Sequence, residues 1–386
     1  MPDTTAESRQ QRQIRMRYHG RLGQVRIYLG KLLRMFLYQS DWKVLPMSAM
    51  VAGLVGLVIR RRFFMTMEGT MMSALAVTCL CLWNGCFNSI QSICRERDVV
   101  KREHRSGLHI SAYIVSHMIY QALLCLLQTG ITIYVLRMVG IQFPTEGLIT
   151  GFFLTEFGVS LFLISYAADM MSLLISSLCR TTTAAMTVMP VVLIIQLVFS
   201  GGMMSLPARA EPVTKWIISN YGVKLIASQA DYNSQPLGSA WSTVQRMKGN
   251  EIRRTVTVGE ILDWLGDPEN PSAEEVRGIA LTKEGSLFGA VTVGDTVDAI
   301  NADKNNRELR EQEIEIDTTV GEVIDMLGEE RVREYVDTRA RETAQVSDYD
   351  HSVENIAAYW LWLLLFSLGY AALATASLEL IDRDRR

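Results

Sequence analysis

A short, densely charged segment between two apolar runs has residue types and spacing suited to ion pairing with another protein. It extends from residue 95 to residue 107 and reads RERDVVKREHRSG. The runs on either side, residues 70–93 and 110–136, contain no Asp, Glu, Lys or Arg. Each run is long enough to cross a bilayer as a helix, which needs about 20 residues. The charged segment must therefore lie in water, and its excess of Lys and Arg predicts that it faces the cytoplasm.

If the charged segment is helical, it places Glu96, Val100 and Glu103 on one stripe. Asp98 lies four residues before Arg102, which is the favourable order for an ion pair. A short, stiff, charged helix suits the transmission of a push from a soluble protein to the two spans that it joins. The alternative is a solvated loop that only satisfies the positive-inside rule. The predicted contact residues are Glu96, Arg97, Glu103 and Arg105.

The sequence predicts no catalytic or metal site. It has no G-x-x-x-x-G-K-[ST] motif to hold a nucleotide phosphate. His104 and His109 are five residues apart and lack the HExxH context of a metal helix. The six cysteines lie in or next to apolar runs, which disfavours a disulfide or metal framework. We therefore expect no cofactor in this chain and no nucleic-acid partner.

Polar side chains inside the apolar runs are candidates for a transport path. Such groups are costly in lipid and should face protein or a water-filled cavity. Asp169 is the clearest case, because a carboxylate in the middle of a span needs a partner or water. For each Asn or Gln, a hydrogen bond between helices is an equally good explanation. The residues are Asn84, Asn88, Gln121, Gln128, Glu156, Asp169 and Gln196.

Six apolar runs are the elements that must position these residues. They cover residues 44–59, 70–93, 110–136, 148–178, 184–204 and 356–378. The predicted fold is an all-α polytopic membrane protein with six transmembrane helices, an N-terminal interfacial helix and an inserted small α/β extracytoplasmic domain. The predicted segments are a basic tail (1–23), the interfacial helix (24–42), five spans (43–205), the insertion (206–355), and the last span with its tail (356–386).

The distribution of Lys and Arg predicts the orientation of these spans. With six spans, the tails and short loops carry 18 Lys and Arg on one side of the membrane and 4 on the other, the long insertion being left out of the count. Both termini should therefore be cytoplasmic, in a multi-pass protein of the plasma membrane. Arg60, Arg61 and Arg62 contradict the rule locally. The first 23 residues have no apolar core, so no cleavable signal peptide is predicted.

Residues 24–42 combine apolar side chains at helical spacing with basic side chains on the other side. This pattern favours a helix that lies in the membrane interface, directly before the first span. The alternative is a helix packed on a soluble domain.

The insertion differs in charge from the rest of the chain. Residues 206–354 contain 28 Asp and Glu but 16 Lys and Arg. The motif Thr-Val-Gly-acid recurs at 257–260, 292–295 and 319–322. A Thr three residues before an acid is typical of a helix capping box, so we predict strand–turn–helix units. A chance similarity is the alternative. Nothing there suggests catalysis, and we expect a partner-binding or gating cap.

The order of three segments resembles the permease part of the White-like (ABCG-type) ABC exporters, the type-2 exporter family. The first is the amphipathic helix that ends in QSDW at 39–42. The second is GCFNSI at 85–90, followed by the charged segment and Tyr113. The third is FSGGMM at 199–204, followed by KWIISNY at 215–221. The resemblance covers about residues 24–230 and the last span.

The resemblance implies that the charged segment is the coupling helix, which contacts a separate ABC ATPase that holds ATP and Mg. It also implies a second permease chain, as a homodimer or heterodimer, and export of an unknown, amphiphilic or peptide-like substrate. Gly202 and Met203 replace the paired leucines of many members, and the insertion has no counterpart. The implied substrate path includes Asn84, Asn88, Asp169, Phe199 and Met203. The alternative function is a non-transporting membrane scaffold or sensor that displays the outer domain.

Overall fold

The computed structural model describes residues 20–38, 41–202, 209, 211–267, 271–279, 281, 291–302 and 307–381. The chain divides into a membrane unit, residues 1–238 with 339–386, and an inserted unit, residues 239–338. The inserted unit is narrower than the predicted insertion of 206–355, because residues 211–238 and 339–352 group with the membrane helices. Most of the predicted basic tail, Met203 and the last five residues lie outside the described residues.

The membrane unit is helical. Its first elements are α1 (Arg21–Tyr38), α2 (Val44–Ile59), α3 (Met67–Ser89), α4 (Ser92–Arg105), α5 (Ile110–Val139), α6 (Phe153–Leu178), α7 (Thr182–Val198), α8 (Glu211–Thr214) and α9 (Ile218–Gln229). The inserted unit follows with α10 (Gly238–Met247), β1 (Glu251–Thr257), α11 (Val258–Gly266), α12 (Pro271–Arg277), α13 (Val293–Ala302), α14 (Arg307–Arg310), β2 (Glu313–Thr319), α15 (Val320–Leu327) and α16 (Glu329–Ala344). The chain ends with α17 (Val353–Ile381).

Five helices of the described residues are long and apolar enough to cross a bilayer. They are Asp41–Ile59, which ends with α2; Met67–Arg105, which contains the apolar α3 and continues through α4; Ile110–Val139, which is α5; Phe153–Leu178, which is α6; and Val353–Leu380, which is α17 without its last residue. The predicted fifth span forms α7, which is apolar but has 17 residues. The prediction of a polytopic helical membrane protein is therefore confirmed, while the count of six spans stays a prediction.

The fourth apolar run, residues 148–178, is not helical over its first five residues. Helix α6 begins at Phe153 rather than near residue 148, because the preceding residues form a loop around Glu156. The Glu156 carboxylate accepts hydrogen bonds from the amides of Leu148 (3.1 Å), Ile149 (2.6 Å) and Thr150 (2.6 Å). Charge-assisted bonds of this kind compensate for the burial of the carboxylate. Glu156 is therefore used to hold this loop.

Helix α6 is the centre of the membrane unit and packs against α3, α5 and α17. Its approach to α3 is close, since a side chain at Gly85 would collide with the backbone carbonyl of Ser165. Two side chains bond to backbone across this contact: Ser172 Oγ donates to the Cys86 carbonyl (2.8 Å) and Ser89 Oγ to the Asp169 carbonyl (2.7 Å). Small residues and hydroxyl bonds of this kind are the usual means of helix association in lipid.

The inserted unit is built on a two-stranded antiparallel sheet. Strands β1 and β2 pair with Glu251 opposite Thr319 and Thr257 opposite Glu313. A small apolar cluster around Leu262, Leu265 and Val297 forms its described core. Each strand runs directly into a helix, β1 into α11 and β2 into α15.

The repeated motifs are capped as their sequence predicts. Both halves of a capping box are present at Thr257 with Glu260 and at Thr319 with Glu322. At the motif of residues 292–295, the Thr292 hydroxyl accepts a hydrogen bond from the Asp295 amide (3.2 Å), and the Asp295 carboxylate accepts one from the Thr292 amide (2.9 Å). Hydrogen bonds to the backbone amide and to threonine hold the pKa of Glu322 and of Asp295 below the usual range.

The glycine of each motif has a separate function. A Cβ at Gly259, Gly294 or Gly321 would lie 3.1–3.2 Å from the backbone carbonyl of a basic residue. That distance is tighter than ordinary side-chain contact, so glycine permits the close approach of the backbone of this basic residue. The basic residues are Arg310, Arg277 and Lys248, respectively.

Candidate functional site

Helix α4 is the charged segment, and it presents an exposed charged stripe. Ile93, Cys94 and Val100 are buried, which sets the inward side of the helix. The opposite side carries four exposed charged residues spaced three, four and three apart, so they lie along one face. We call this face the exposed stripe: Arg95, Asp98, Arg102 and Arg105.

Helix α1 lies along another side of α4 and is joined to it by polar bonds. Lys31 Nζ lies 3.0 Å from Glu96 Oε2, and the Glu96 side chain is only 12% exposed. The Tyr28 hydroxyl donates to Glu103 Oε2. Burial raises the pKa of Tyr28 above its usual value, and the hydrogen bond to Glu103 raises it further. The hydroxyl therefore stays protonated and keeps its role as donor.

The third contact between α1 and the charged segment is at its end. Gln24 Nε2 donates to the Gly107 carbonyl (3.1 Å), and Gln24 Oε1 accepts from the His109 amide (2.9 Å). Gln24, Tyr28 and Lys31 are spaced four and three apart, so they share one face of α1. Their partners follow in reverse chain order, which means that α1 and α4 run antiparallel along this contact.

Helix α4 is also attached to the end of α6. The Arg97 guanidinium donates to the carbonyls of Ser177 (3.2 Å) and Cys179, where the last carbonyls of a helix lack partners within it. At the start of α4, Ser176 Oγ accepts from the amides of Ile93 and Cys94, each at 3.1 Å. The last turn of α6 therefore holds the first turns of α4.

The predicted contact residues divide into two groups. Glu96, Arg97 and Glu103 each bond to another helix of this chain, whereas Arg105 is exposed. Sequence reasoning named Asp98 and Arg102 only as an ion pair and did not single out Arg95. The spacing of all three opposite the buried Ile93 and Val100 could have identified them as an exposed face. Arg95 is 3.9 Å from Asp41, with 47% of its side chain exposed. Whether the predicted contact residues of α4 bind a partner protein stays a prediction.

A polar cluster lies between α3, α5 and α6. Asn88 and Gln128 exchange two amide hydrogen bonds of 2.8 and 3.0 Å. Asp169 is fully buried, and Cys125 Sγ donates to its Oδ2 at 3.4 Å. Among the described residues, Asp169 Oδ1 has no hydrogen-bond partner. An unsatisfied buried oxygen costs stability, and such groups in native proteins call for a functional or structural reason.

The structure brings together only some of the predicted path residues. Asn88 and Asp169 lie in the polar cluster, and the buried Asn84 is one turn away from Asn88 on α3. Phe199 is half-buried at the end of α7, whereas Asp169 is nine residues from the end of the antiparallel α6. The two therefore lie toward opposite ends of the unit. Met203 is outside the described residues.

Two adjoining hollows lie beside these residues. The polar hollow (≈ 210 Å³) lies between α1, α4 and α5, and the polar side chains around it include Asn88, Glu96 and His117. Within the described part of the chain, neither ring nitrogen of His117 has a hydrogen-bond partner. The apolar groove (≈ 350 Å³) lies between α3 and α7. It is lined by Cys79, Leu82, Trp83, Phe87, Met186, Met189, Pro190, Leu193, Ile194 and Leu197.

The hollows are connected by shared side chains. Phe87 and Met186 line both the polar hollow and the apolar groove. A surface that is polar at one end and apolar along the membrane helices fits an amphiphilic molecule. In the described part of the chain, no three His, Cys, Asp or Glu side chains are grouped so that they could hold a metal ion.

A family model and a known protein match parts of this chain. The family model of the ABC-2 type transporter matches residues 26–222, a range that begins in α1 and ends in α9. The "ABC transporter ATP-binding/permease protein Rv1747" of Mycobacterium tuberculosis is 29% identical over 125 residues. That match covers 31% of this chain and 14% of the length of that protein.

The α1–α4 contact predicts the effect of a single hydroxyl. Tyr28→Phe removes the hydrogen bond to Glu103 but keeps the ring on Tyr113, whose centroid is 5.6 Å away. The change should weaken α1 docking by roughly 1–2 kcal/mol, as expected for a hydrogen bond to a charged group near the surface. Hydrogen–deuterium exchange of the purified full chain should then be faster over residues 24–36.

The matched control for this change is Tyr38→Phe, because Tyr38 lies at the end of the same helix and is 85% exposed. Its exchange profile should match that of the unmodified protein. Equal profiles for the two variants would show that the Tyr28 hydroxyl does not hold α1 on α4.

Proposed function

Because this chain belongs to the ABC-2 type transporter family, we propose that it is the membrane permease of an ABC exporter. A separate ABC ATPase, with bound ATP and Mg, supplies the energy, and this chain holds no cofactor. A second permease chain, identical or related, completes the transporter. The termini face the cytoplasm and the inserted unit faces outward.

The observation that carries this proposal is the attachment of α4. Its inward sides bond to α1 through Glu96 and Glu103 and to the end of α6 through Arg97. Of the exposed stripe, Asp98, Arg102 and Arg105 are left for a partner. A helix held in this way moves together with the helices that hold it. A push on the exposed stripe would therefore displace α6, and with it the polar cluster. Coupling requires contacts that differ between two states, which such a rigid connection can supply.

An amphiphilic substrate is the class that the two hollows support. The polar hollow offers amide, carboxylate and imidazole groups to a polar head, and the apolar groove offers space to an apolar part. Both hollows share Phe87 and Met186, so one molecule can occupy them together. A peptide-like substrate with apolar side chains meets the same requirement. The excess of Lys and Arg predicts that α4 is cytoplasmic, and the polar hollow beside α4 would then open on that side, which supports outward transport.

The coupling role predicts a loss of function from charge reversal on the exposed stripe. Arg102→Glu with Arg105→Glu should lower co-purification of the ATPase, or its substrate-stimulated ATP hydrolysis, at least tenfold, since opposed like charges suppress association. The control is Arg26→Glu with Arg34→Glu, which makes the same charge change on exposed positions of α1. Equal activity of the stripe variant and the control would contradict the coupling role. If the unmodified protein inserts into the membrane but binds no ATPase, the alternative function of a membrane scaffold would be favoured.

The polar cluster predicts a separation of stability from transport. Asp169→Leu removes a buried carboxyl with an unbonded oxygen, so thermal stability in detergent should stay equal or rise by about 1 kcal/mol. Substrate-stimulated ATP hydrolysis should nevertheless fall. The control is Ser172→Ala on the same helix, which removes the hydrogen bond from the Ser172 hydroxyl to the Cys86 carbonyl. It should lower thermal stability, while substrate-stimulated ATP hydrolysis remains. A stable Asp169→Leu variant with normal stimulation would remove Asp169 from the path.

The orientation predicts which positions an impermeant thiol reagent reaches in intact cells. In a background without the six native cysteines, Ser347→Cys should be labelled, because it is exposed in the segment before α17. Ser106→Cys, exposed at the end of α4, should be labelled only after the membrane is permeabilised. The reverse pattern would overturn the proposed topology.

A further inference from the structure

Four arginines lie at the end of the membrane unit opposite α4. Arg60, Arg61 and Arg62 follow the end of α2, and Arg137 is in the last turn of α5. All four are exposed. Helix α5 has 30 residues, about 45 Å of length against a hydrocarbon thickness of about 30 Å, so Arg137 reaches the membrane interface. In the proposed topology these arginines are on the outer side, where the positive-inside rule disfavours them.

The turn that carries three of them is held firmly. Phe64 has a left-handed backbone conformation (φ 63°), which is uncommon for a bulky residue. Its amide donates to Thr70 Oγ1 (3.2 Å), and its ring packs edge-on against Phe143 and Phe153, with centroids 6.0 and 5.7 Å away. Phe63 is buried beside it. Because the two phenylalanines point inward, Arg61 and Arg62 are left on the surface of a constrained turn.

One of the four arginines has a structural explanation. The Arg60 guanidinium lies against Gly140, where a Cβ would be only 3.2 Å from its Nε. Gly140 has φ 93° and ends α5, so Arg60 lies beside the carbonyl end of that helix, which favours a cation. Among the residues that the structure describes, none forms an ion pair with Arg61, Arg62 or Arg137.

Arg137 also borders an apolar pocket of ≈ 490 Å³, which we call the outer pocket. Two of its aromatic side chains, Phe143 and Phe153, are the ones that hold Phe64, so the outer pocket adjoins the arginine turn. Glu156 is close in sequence, but its carboxylate is bonded to the loop amides at 148–150. The other residues around the pocket are Ile141, Gln142, Pro144, Thr145, Phe152 and Leu154.

We propose that this place binds an anionic phospholipid of the adjacent leaflet. Its phosphate contacts Arg61, Arg62 and Arg137, and part of an acyl chain occupies the outer pocket beside Phe152 and Leu154. Charge complementarity selects the anionic head, since no acidic side chain borders the outer pocket. The neighbouring apolar lining selects a lipid rather than a free anion. Such a ligand explains why three arginines lie on the side of the membrane where the positive-inside rule disfavours them.

The test is a lipid titration of the purified full-length chain, followed by native mass spectrometry. Phosphatidylglycerol should bind at lower concentration than phosphatidylcholine with the same acyl chains. Arg61→Gln, Arg62→Gln and Arg137→Gln should each weaken phosphatidylglycerol binding roughly five-fold, and the triple variant roughly a hundred-fold. Arg180→Gln, an exposed arginine at the other end of α6, should not change it.

Two further arms separate the head from the acyl chain. Phe152→Ser, at a side chain that is 71% exposed beside the outer pocket, should weaken phosphatidylglycerol binding without abolishing the preference for the anionic head. Inorganic phosphate at millimolar concentration should not displace the lipid. A triple variant that keeps the preference of the unmodified protein, equal binding of the two lipids, or full displacement by phosphate would each overturn the proposal. The assay needs no ATPase, so its result is independent of the proposed export function.

Discussion

The close contact between α3 and α6 is the constraint on which the membrane unit depends. Without water to satisfy polar groups, helices in lipid associate through close backbone approach and hydrogen bonds. Gly85 permits that approach, because any side chain there would meet the Ser165 carbonyl. The same approach allows Ser89 and Ser172 to bond to backbone carbonyls across the contact. Asp169 is buried as a consequence, since it lies on the α6 surface that α3 and α5 cover.

The position of α4 follows from this contact. Helix α3 leads into α4, and the last turn of α6 supplies the Ser176 hydroxyl and the Ser177 and Cys179 carbonyls that hold it. Helix α1 then adds the bonds from Lys31 and Tyr28. The charges on α4 consequently have different uses on different sides of one helix. Those that face α1 and α6 position the helix, and the exposed stripe lies on its surface.

The inserted unit illustrates how a short motif can specify a structure locally. Each Thr-Val-Gly-acid motif caps a helix through Thr and the acid, and its glycine lets the backbone of a basic residue approach closely. The first property is local in sequence, so it can be recognised without coordinates. The second joins Gly259 to Arg310 and Gly321 to Lys248, which are far apart in the chain. Only the fold shows why the motif needs glycine at that position.

The sequence by itself determined the membrane class, the helical runs and the charged segment between two of them, because hydropathy and charge act on each segment separately. The transporter family followed from the order of three motifs that resemble it. The sequence also predicted the capping of the repeated motifs. It did not fix the start of α6, since the bonds of Glu156 to a preceding loop are not encoded in hydropathy. The tertiary structure alone decided which charges of α4 bond within the chain. It also placed Asn88 and Asp169 in one cluster and Phe199 toward the other end of the membrane unit. Those arrangements depend on which helix faces pack against each other, and the sequence of a single helix does not specify which helices it will contact.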